Sequence, residues 1–344
     1  MCGVMFKSEV VVVCAVSAMF FMVFFVPYID YEEYFRFHVA CSVGFSLKYV
    51  HSLIWLPVYQ FIIALLRNFV LLRLFSVFCV VATSYFVRRL SGVLWSEEVA
   101  VATSLFYILN PFVMFYGSQA MSESLASLLT VLFIYCFMEG KHGYASLVLA
   151  CGVLTAYSFW IFVPFVLVYC LIKRKLQFFF YLLPVLAIVW WGYINYVMAN
   201  EPLHFVNLAS IFYEAITKKL SLENSPFNVA LFPLVYPLTF VFPFFIQTIR
   251  RRITKLEFSA KLLLEYYIVA VTVLLCVGQV SGYVFGWGRY FIPLIPAYLM
   301  LGCETVLNSK RRKMWIIAYF ALSLIMTVVQ AIDAYNFKVG MQSR

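Results

Sequence analysis

Long apolar runs separated by short polar segments form the main pattern of the chain. Most of the runs approach the roughly 20 residues that a helix needs to cross a bilayer. We therefore predict an all-α fold, a polytopic transmembrane helical bundle. The predicted spans number eleven and cover residues 10–29, 70–87, 98–116, 122–138, 144–158, 159–172, 177–198, 228–248, 264–283, 290–308 and 314–332.

The composition excludes the other broad classes of protein. Apolar residues make up 65% of the 344 and charged residues only 12%, whereas about a quarter of a soluble domain is charged. Disordered chains are poor in aromatic residues, and this chain is 20% aromatic. Since the spans use most of the chain, we expect a single transmembrane domain over residues 1–344. The longer loops then carry any chemistry.

The apolar segment 53–66 decides the orientation of the bundle. It is short for a span, and Pro57 suits the start of a short helix on the membrane interface. If the segment does not cross, 16 of the 25 basic residues fall on one side, which the positive-inside rule makes cytoplasmic. If it crosses, the later basic clusters lie opposite Lys7. We favour the first arrangement, a multi-pass cell-membrane protein with a cytoplasmic N-terminus.

Two long segments then face the outside. The first external loop, residues 30–69, holds the interfacial helix. The second, residues 199–227, has apolar residues at helical spacing and predicts an amphipathic helix on the interface. Most polar residues that are not basic lie in these loops and in two short external turns. The net charge of +10 therefore reflects membrane orientation and does not indicate nucleic acid.

Carboxylates close to the membrane surface are the first candidates for chemistry. Asp30, Glu32 and Glu33 follow the first span. Partial desolvation raises the pKa of a carboxylate, which suits it to act as a general base. The alternative is an ordinary solvated start of a loop. Glu123 opens a later span, where it either complements the helix dipole or faces a wet cavity inside the bundle.

Cationic and neutral candidates lie on the same side. Arg289 and Tyr290 follow a glycine-rich turn, and an arginine fork matches the oxygens of a phosphate; snorkelling to lipid headgroups is the alternative. His204 and Lys218 belong to the second external loop and suit an anionic ligand, although solvated helix faces also carry such residues. Metal-ligand spacings are absent from the sequence, so we predict no metal site.

Four segments together resemble the GT-C superfamily of membrane glycosyltransferases, which includes protein O-mannosyltransferases and the aminoarabinose transferase acting on lipid A. The resemblance covers about residues 10–308. It depends on the order and sidedness of four segments, IDYEEYFRF, WLPVY with the later LLRLFSVF, NPFVMFYGSQAMSESLASLLTVLFIY, and GWGRYFIPLIPAYLML.

The resemblance implies an inverting glycosyltransferase. The donor would be a sugar, such as mannose, on a polyprenyl or dolichyl phosphate, and the acceptor a lipid-linked glycan, glycan or protein on the outer face. Asp30 or Glu33 would be the catalytic base, with Glu32 beside them. Glu123 would orient a substrate and Arg289 would bind the lipid phosphate. No cofactor is certain, and a divalent cation stays open. The alternative function is a multi-pass transporter or a flippase for lipid-linked glycans.

Overall fold

A computed structural model describes residues 2–25, 31–43, 56–172, 176–211, 241, 260–280 and 288–342. Every regular element within these ranges is a helix, which confirms the all-helical class for this part of the chain. The α-helices are α1 (Cys2–Phe25), α2 (Tyr31–Val43), α3 (Pro57–Leu66), α4 (Phe69–Leu94), α5 (Glu97–Ile108), α6 (Pro111–Gly117), α7 (Ser122–Met138), α8 (His142–Val153), α9 (Phe162–Ile172), α10 (Leu182–Ala199), α11 (Ala260–Val280), α12 (Ile295–Leu307) and α13 (Arg312–Gln342). Short 3₁₀ helices at Tyr157–Ile161, Leu176–Tyr181 and Gly288–Leu294 precede α9, α10 and α12.

The helices are compatible with a membrane bundle. Four described helical segments are long and apolar enough to cross a bilayer, namely Phe69–Leu94, Gln177–Ala199, Tyr290–Leu307 and Arg312–Val329. The pair α5 and α6 makes a fifth if its two parts are counted together. The total of eleven spans stays a prediction, and the predicted span 228–248 lies almost entirely outside the described residues.

One predicted span is broken. Residues 98–116 were expected to form one helix, but α5 and α6 meet at a bend of 55°. Pro111 begins α6 and has no N–H to continue the ladder of α5, while the side chain of Asn110 accepts hydrogen bonds from the backbone N–H groups of Phe112 (2.9 Å) and Val113 (3.1 Å). Asn110 therefore starts a new helix where the sequence pattern suggested continuity.

Contacts sort the helix ends into two groups. We call one the Glu33 end, because Val23 near the end of α1 and Arg73 near the start of α4 meet there beside Glu33. We call the other the Glu97 end, where Arg88 near the end of α4 pairs with Glu97 at the start of α5. The start of α7 lies at the Glu33 end, since Ala120 contacts Glu33 just before it. At the Glu33 end the bundle thus brings together segments that are distant in sequence.

Helix α3 shows the predicted local structure. It begins at Pro57, as expected for a short helix in the segment 53–66, and ends at Leu66, after which Arg67 adopts the left-handed conformation (φ 46°). Ten residues of helix extend only about 15 Å, which is half of a bilayer core. Its first turn is tied to the bundle, because the Val58 N–H donates to the carbonyl of Leu154 at 3.0 Å.

Candidate functional site

Helix α2 places two charged residues inside the bundle. Glu33, Arg36 and Ala40 are buried and spaced three and four residues apart, so they share one face of the helix. That face packs towards α3, and Glu33 reaches the start of α4 and the turn before α7. Helical spacing therefore places residues of a segment that was predicted to be a loop in the core.

Glu33 and Arg73 form a buried ion pair. The Nε and Nη2 atoms of Arg73 donate to the two carboxylate oxygens of Glu33 at 2.9 and 3.0 Å, and the side chains are 4% and 0% exposed. The backbone N–H of Ala120 donates to the same carboxylate at 2.6 Å, and Arg73 Nη1 donates to the carbonyl of Val23 at 3.3 Å. A two-pronged pair with further hydrogen bonds compensates the desolvation of both charges. Glu33 is thus held by three hydrogen bonds from two other segments, the start of α4 and the turn before α7.

Arg36 and Glu123 lie on either side of Ser122. Arg36 Nη1 donates to Ser122 Oγ at 3.0 Å, and this hydroxyl donates to Glu123 Oε2 at 3.4 Å. Glu123 is in the first turn of α7, where the positive end of the helix dipole favours a carboxylate. The guanidinium of Arg36 also lies 5.6 Å from the centroid of the Tyr59 ring. Two carboxylates and two arginines are therefore buried at the Glu33 end, and we call these four residues the ionic cluster.

Neutral polar groups are buried around the ionic cluster. Burial raises the pKa of the Tyr59 phenol, which is therefore neutral at physiological pH. Its hydroxyl lies near that of Ser76 without hydrogen-bond geometry. Within the described part of the chain, five neutral residues of α3, the first half of α4 and the segment 119–124 have buried side-chain atoms with no hydrogen-bond partner: Tyr59, Gln60, Ser76, Gln119 and Ser124. Buried polar groups normally have partners, so this region suits a polar ligand or water.

The structure brings together two of the predicted site residues and separates others. Glu33 and Glu123 both belong to the ionic cluster. His204 instead lies beside Glu201, with 3.7 Å between Nδ1 and Oε2, in the helical residues 204–211 after α10. Tyr290 is half-buried in the 3₁₀ helix that packs against α7.

Other predicted site residues are described in part or not at all. The backbones of Glu32 and Arg289 lie in α2 and in the 3₁₀ helix before α12, but their side chains are outside the described residues. Asp30 and Lys218 lie wholly outside them. Among the residues that the structure describes, no three His, Cys, Asp or Glu side chains lie close enough together to hold a metal ion.

Sequence reasoning missed the partners of the two glutamates. Arg36 and Arg73 are not among the site residues predicted from the sequence, although both lie in segments that carry the family resemblance. A stronger signal was available for Arg73, because it is the only charged residue between Asn68 and Arg88. An isolated charge in an apolar helix usually faces the bundle interior and has a partner there.

Comparison of the chain with protein-family models, with curated proteins and with solved structures found no match.

Proposed function

We propose that the protein is an inverting glycosyltransferase that uses a lipid-phosphate-linked sugar as donor. The observation that carries the proposal is the ionic cluster, which buries two carboxylates and two arginines at one end of a chain that is only 12% charged. Ionisable groups inside a membrane bundle are costly, and they usually mark a functional site. A charged lipid phosphate and a proton-transfer step both need such groups.

In this mechanism Asp30 is the general base. The three hydrogen bonds that Glu33 accepts favour a holding role for it, because a carboxylate stabilised in its charged form is a weak base. Asp30 comes three residues before Glu33 in the sequence. Asp30 takes the proton of the acceptor hydroxyl as its oxygen attacks the anomeric carbon. The bond between the sugar and the phosphate breaks, and the polyprenyl or dolichyl phosphate leaves with the electron pair.

The other predicted residues bind the substrates. Arg289 and Tyr290 hold the departing phosphate, because a guanidinium stabilises the charge that develops on it. Glu123 and Arg36 orient the sugar or the acceptor across Ser122. Glu32, His204 and Lys218 contact substrate at the rim. The acceptor is a lipid-linked glycan, a glycan or a protein outside the membrane, with the Glu33 end facing outwards.

Transfer by the purified protein tests the proposal. The protein in nanodiscs is incubated with radiolabelled polyprenyl-phospho-mannose and a panel of lipid-linked glycans, oligosaccharides and peptides. We expect label to move to one acceptor class, and we expect Asp30→Asn to reduce the rate at least a hundredfold, as loss of a general base does. Full activity of Asp30→Asn would reject the assigned base. Movement of an intact lipid-linked sugar across liposomes, with no transfer, would replace the enzyme by a flippase.

A further inference from the structure

A groove of about 320 Å³ opens at the Glu97 end, away from the ionic cluster. It lies between α1 and the antiparallel pair formed by α4 and α5. Its walls are apolar and include Val12, Val13, Val101 and Leu105, and its charged lining residues are Glu9 and Arg88. Val13 is 63% exposed, so the apolar wall continues to the surface of the bundle.

The two charged residues keep capacity to bind a ligand. Glu9 is exposed and forms no hydrogen bond or ion pair with the residues that the structure describes. It is the last charged residue of α1, since residues 10–25 carry no charge. Arg88 directs Nε and Nη2 to one oxygen of Glu97, which leaves Nη1 without an acceptor among the described residues. The groove therefore presents one carboxylate and one guanidinium nitrogen next to apolar walls.

We propose that this groove binds one phospholipid whose headgroup carries a primary amine. The phosphate of such a lipid accepts from Arg88 Nη1, its ammonium donates to the Glu9 carboxylate, and an acyl chain covers the apolar wall. Arg88 keeps its contact with Glu97 through Nε and Nη2 and offers only Nη1 to the phosphate, while the Glu9 carboxylate matches the ammonium in sign. An anionic headgroup without an amine leaves Glu9 unmatched, and a quaternary amine has no N–H to donate to it. Neither residue belongs to the ionic cluster, so the site is independent of sugar transfer.

Native mass spectrometry of the delipidated protein tests this site. The full-length protein in detergent is titrated with phosphatidylethanolamine, phosphatidylcholine and phosphatidylglycerol that have the same acyl chains. We expect one saturable site with preference for phosphatidylethanolamine. Glu9→Gln should weaken that binding by about ten- to a hundredfold, which is the loss of one charge-assisted hydrogen bond. The same variant should leave the weaker binding of phosphatidylglycerol unchanged or improved.

Two further variants test whether a loss of binding comes from the groove itself. They separate it from misfolding and from a non-specific change in surface charge. Val13→Trp keeps both charges but fills the apolar wall, and it should abolish the saturable site. The matched control is Arg89→Gln, because Arg89 neighbours Arg88 in sequence, bonds to Tyr85 and does not line the groove. Equal binding of all three lipids, unchanged binding by Glu9→Gln, or an equal loss in Arg89→Gln would each overturn the proposal. Size-exclusion profiles show which variants are folded.

Discussion

The buried pair of Glu33 and Arg73 stabilises the fold little more than two apolar side chains of the same size would. Two charges lose their hydration when they enter the bundle, and their attraction roughly offsets that loss. Stability alone therefore does not explain why the pair is present. The proposed sugar transfer would supply a reason for its position beside Arg36 and Glu123, because four charges held at fixed positions could bind a charged substrate without reorganising.

Removing one partner should be far more costly than the net value of the pair. Glu33→Gln leaves Arg73 buried and without its carboxylate, so we expect the free energy of unfolding to fall by about 3 kcal/mol or more. Denaturant titration in mixed micelles, followed by intrinsic tryptophan fluorescence, measures this change.

The control is the exposed pair at the other end of the bundle. The side chains of Arg88 and Glu97 are 42% and 64% exposed, so Glu97→Gln should cost less than about 1 kcal/mol. Equal losses in Glu33→Gln and Glu97→Gln would show that the Glu33 pair is hydrated.

The sequence predicted the acidic half of the ionic cluster more readily than the basic half. Glu33 and Glu123 stand near the ends of apolar runs, where an ionisable residue attracts notice. Arg36 was hidden because α2 itself was not predicted, and only a helix aligns Glu33, Arg36 and Ala40 on one face. Pairing across the bundle depends on packing of distant segments, which no local pattern contains.

At the scale of helices, the break between α5 and α6 is held by side chains as well as by Pro111. Asn110 Oδ1 caps α6, and its Nδ2 donates to the hydroxyl of Tyr319 at 2.8 Å. That hydroxyl donates to the carbonyl of Phe106 at 2.8 Å, near the end of α5. One tyrosine of α13 therefore satisfies groups on both sides of the bend.

Replacing Asn110 should weaken the bundle more than an ordinary cap would. Asn110→Ala removes the cap and a buried hydrogen bond, so we expect a loss of about 2 kcal/mol. Tyr319→Phe should cost about 1 kcal/mol. Ser96→Ala, at the exposed and longer cap of α5 (3.4 Å), should cost about 0.5 kcal/mol and serves as control. Thermal melting in detergent gives the order, and a larger effect for Ser96→Ala would contradict this account.

Replacing two glycines of α8 by alanine should change the stability of the protein in opposite directions. A methyl group on Gly152 would overlap the ring of Phe159, which is fully buried, so Gly152→Ala should destabilise by about 1–3 kcal/mol. A methyl group on Gly143 would lie 3.8 Å from the Phe180 ring, an ordinary contact. Gly143→Ala should therefore gain about 0.5 kcal/mol from helix propensity. The melting temperature of each variant, compared with that of the unmodified protein, checks the two directions. A higher melting temperature for Gly152→Ala would mean that the turn after α8 relaxes freely.

The sequence predicted the bounds of a helix correctly where one local signal was enough to define them. The bounds of α7 match the predicted 122–138, because turn residues precede its long apolar run. The break at Asn110 and Pro111 also had a local signal, since an Asn-Pro pair favours a turn, but apolar residues on both sides obscured it. Helix α2 lacked an apolar stripe and was missed, because its buried face is partly charged.

At the scale of the whole molecule, the helix ends that lie together at the Glu33 end are those that the predicted order of spans would place on one side of the membrane. Alternating spans would bring the end of α1 and the starts of α4 and α7 to one side, and these segments meet at the Glu33 end. The segment after α10 lies there as well, since Leu56, Trp191 and Phe205 pack in one cluster near the start of α3. Contacts fix which segments share an end, whereas the charge distribution alone assigns that end to the outside.

Cysteine accessibility tests that assignment. In a background without the nine native cysteines, Ser42→Cys and Asn207→Cys should react with an impermeant maleimide added to intact cells. Both positions are exposed at the Glu33 end. Glu98 lies at the start of α5, and Lys310 lies in the basic connection between α12 and α13; both are exposed and both are predicted to be cytoplasmic. Glu98→Cys and Lys310→Cys should therefore react only after the membrane is opened. The reverse pattern would place the ionic cluster in the cytoplasm, where nucleotide-activated donors are present, and would remove the case for a lipid-linked donor. A mixed pattern within either pair would mean that segment 53–66 crosses the membrane or that another predicted span does not.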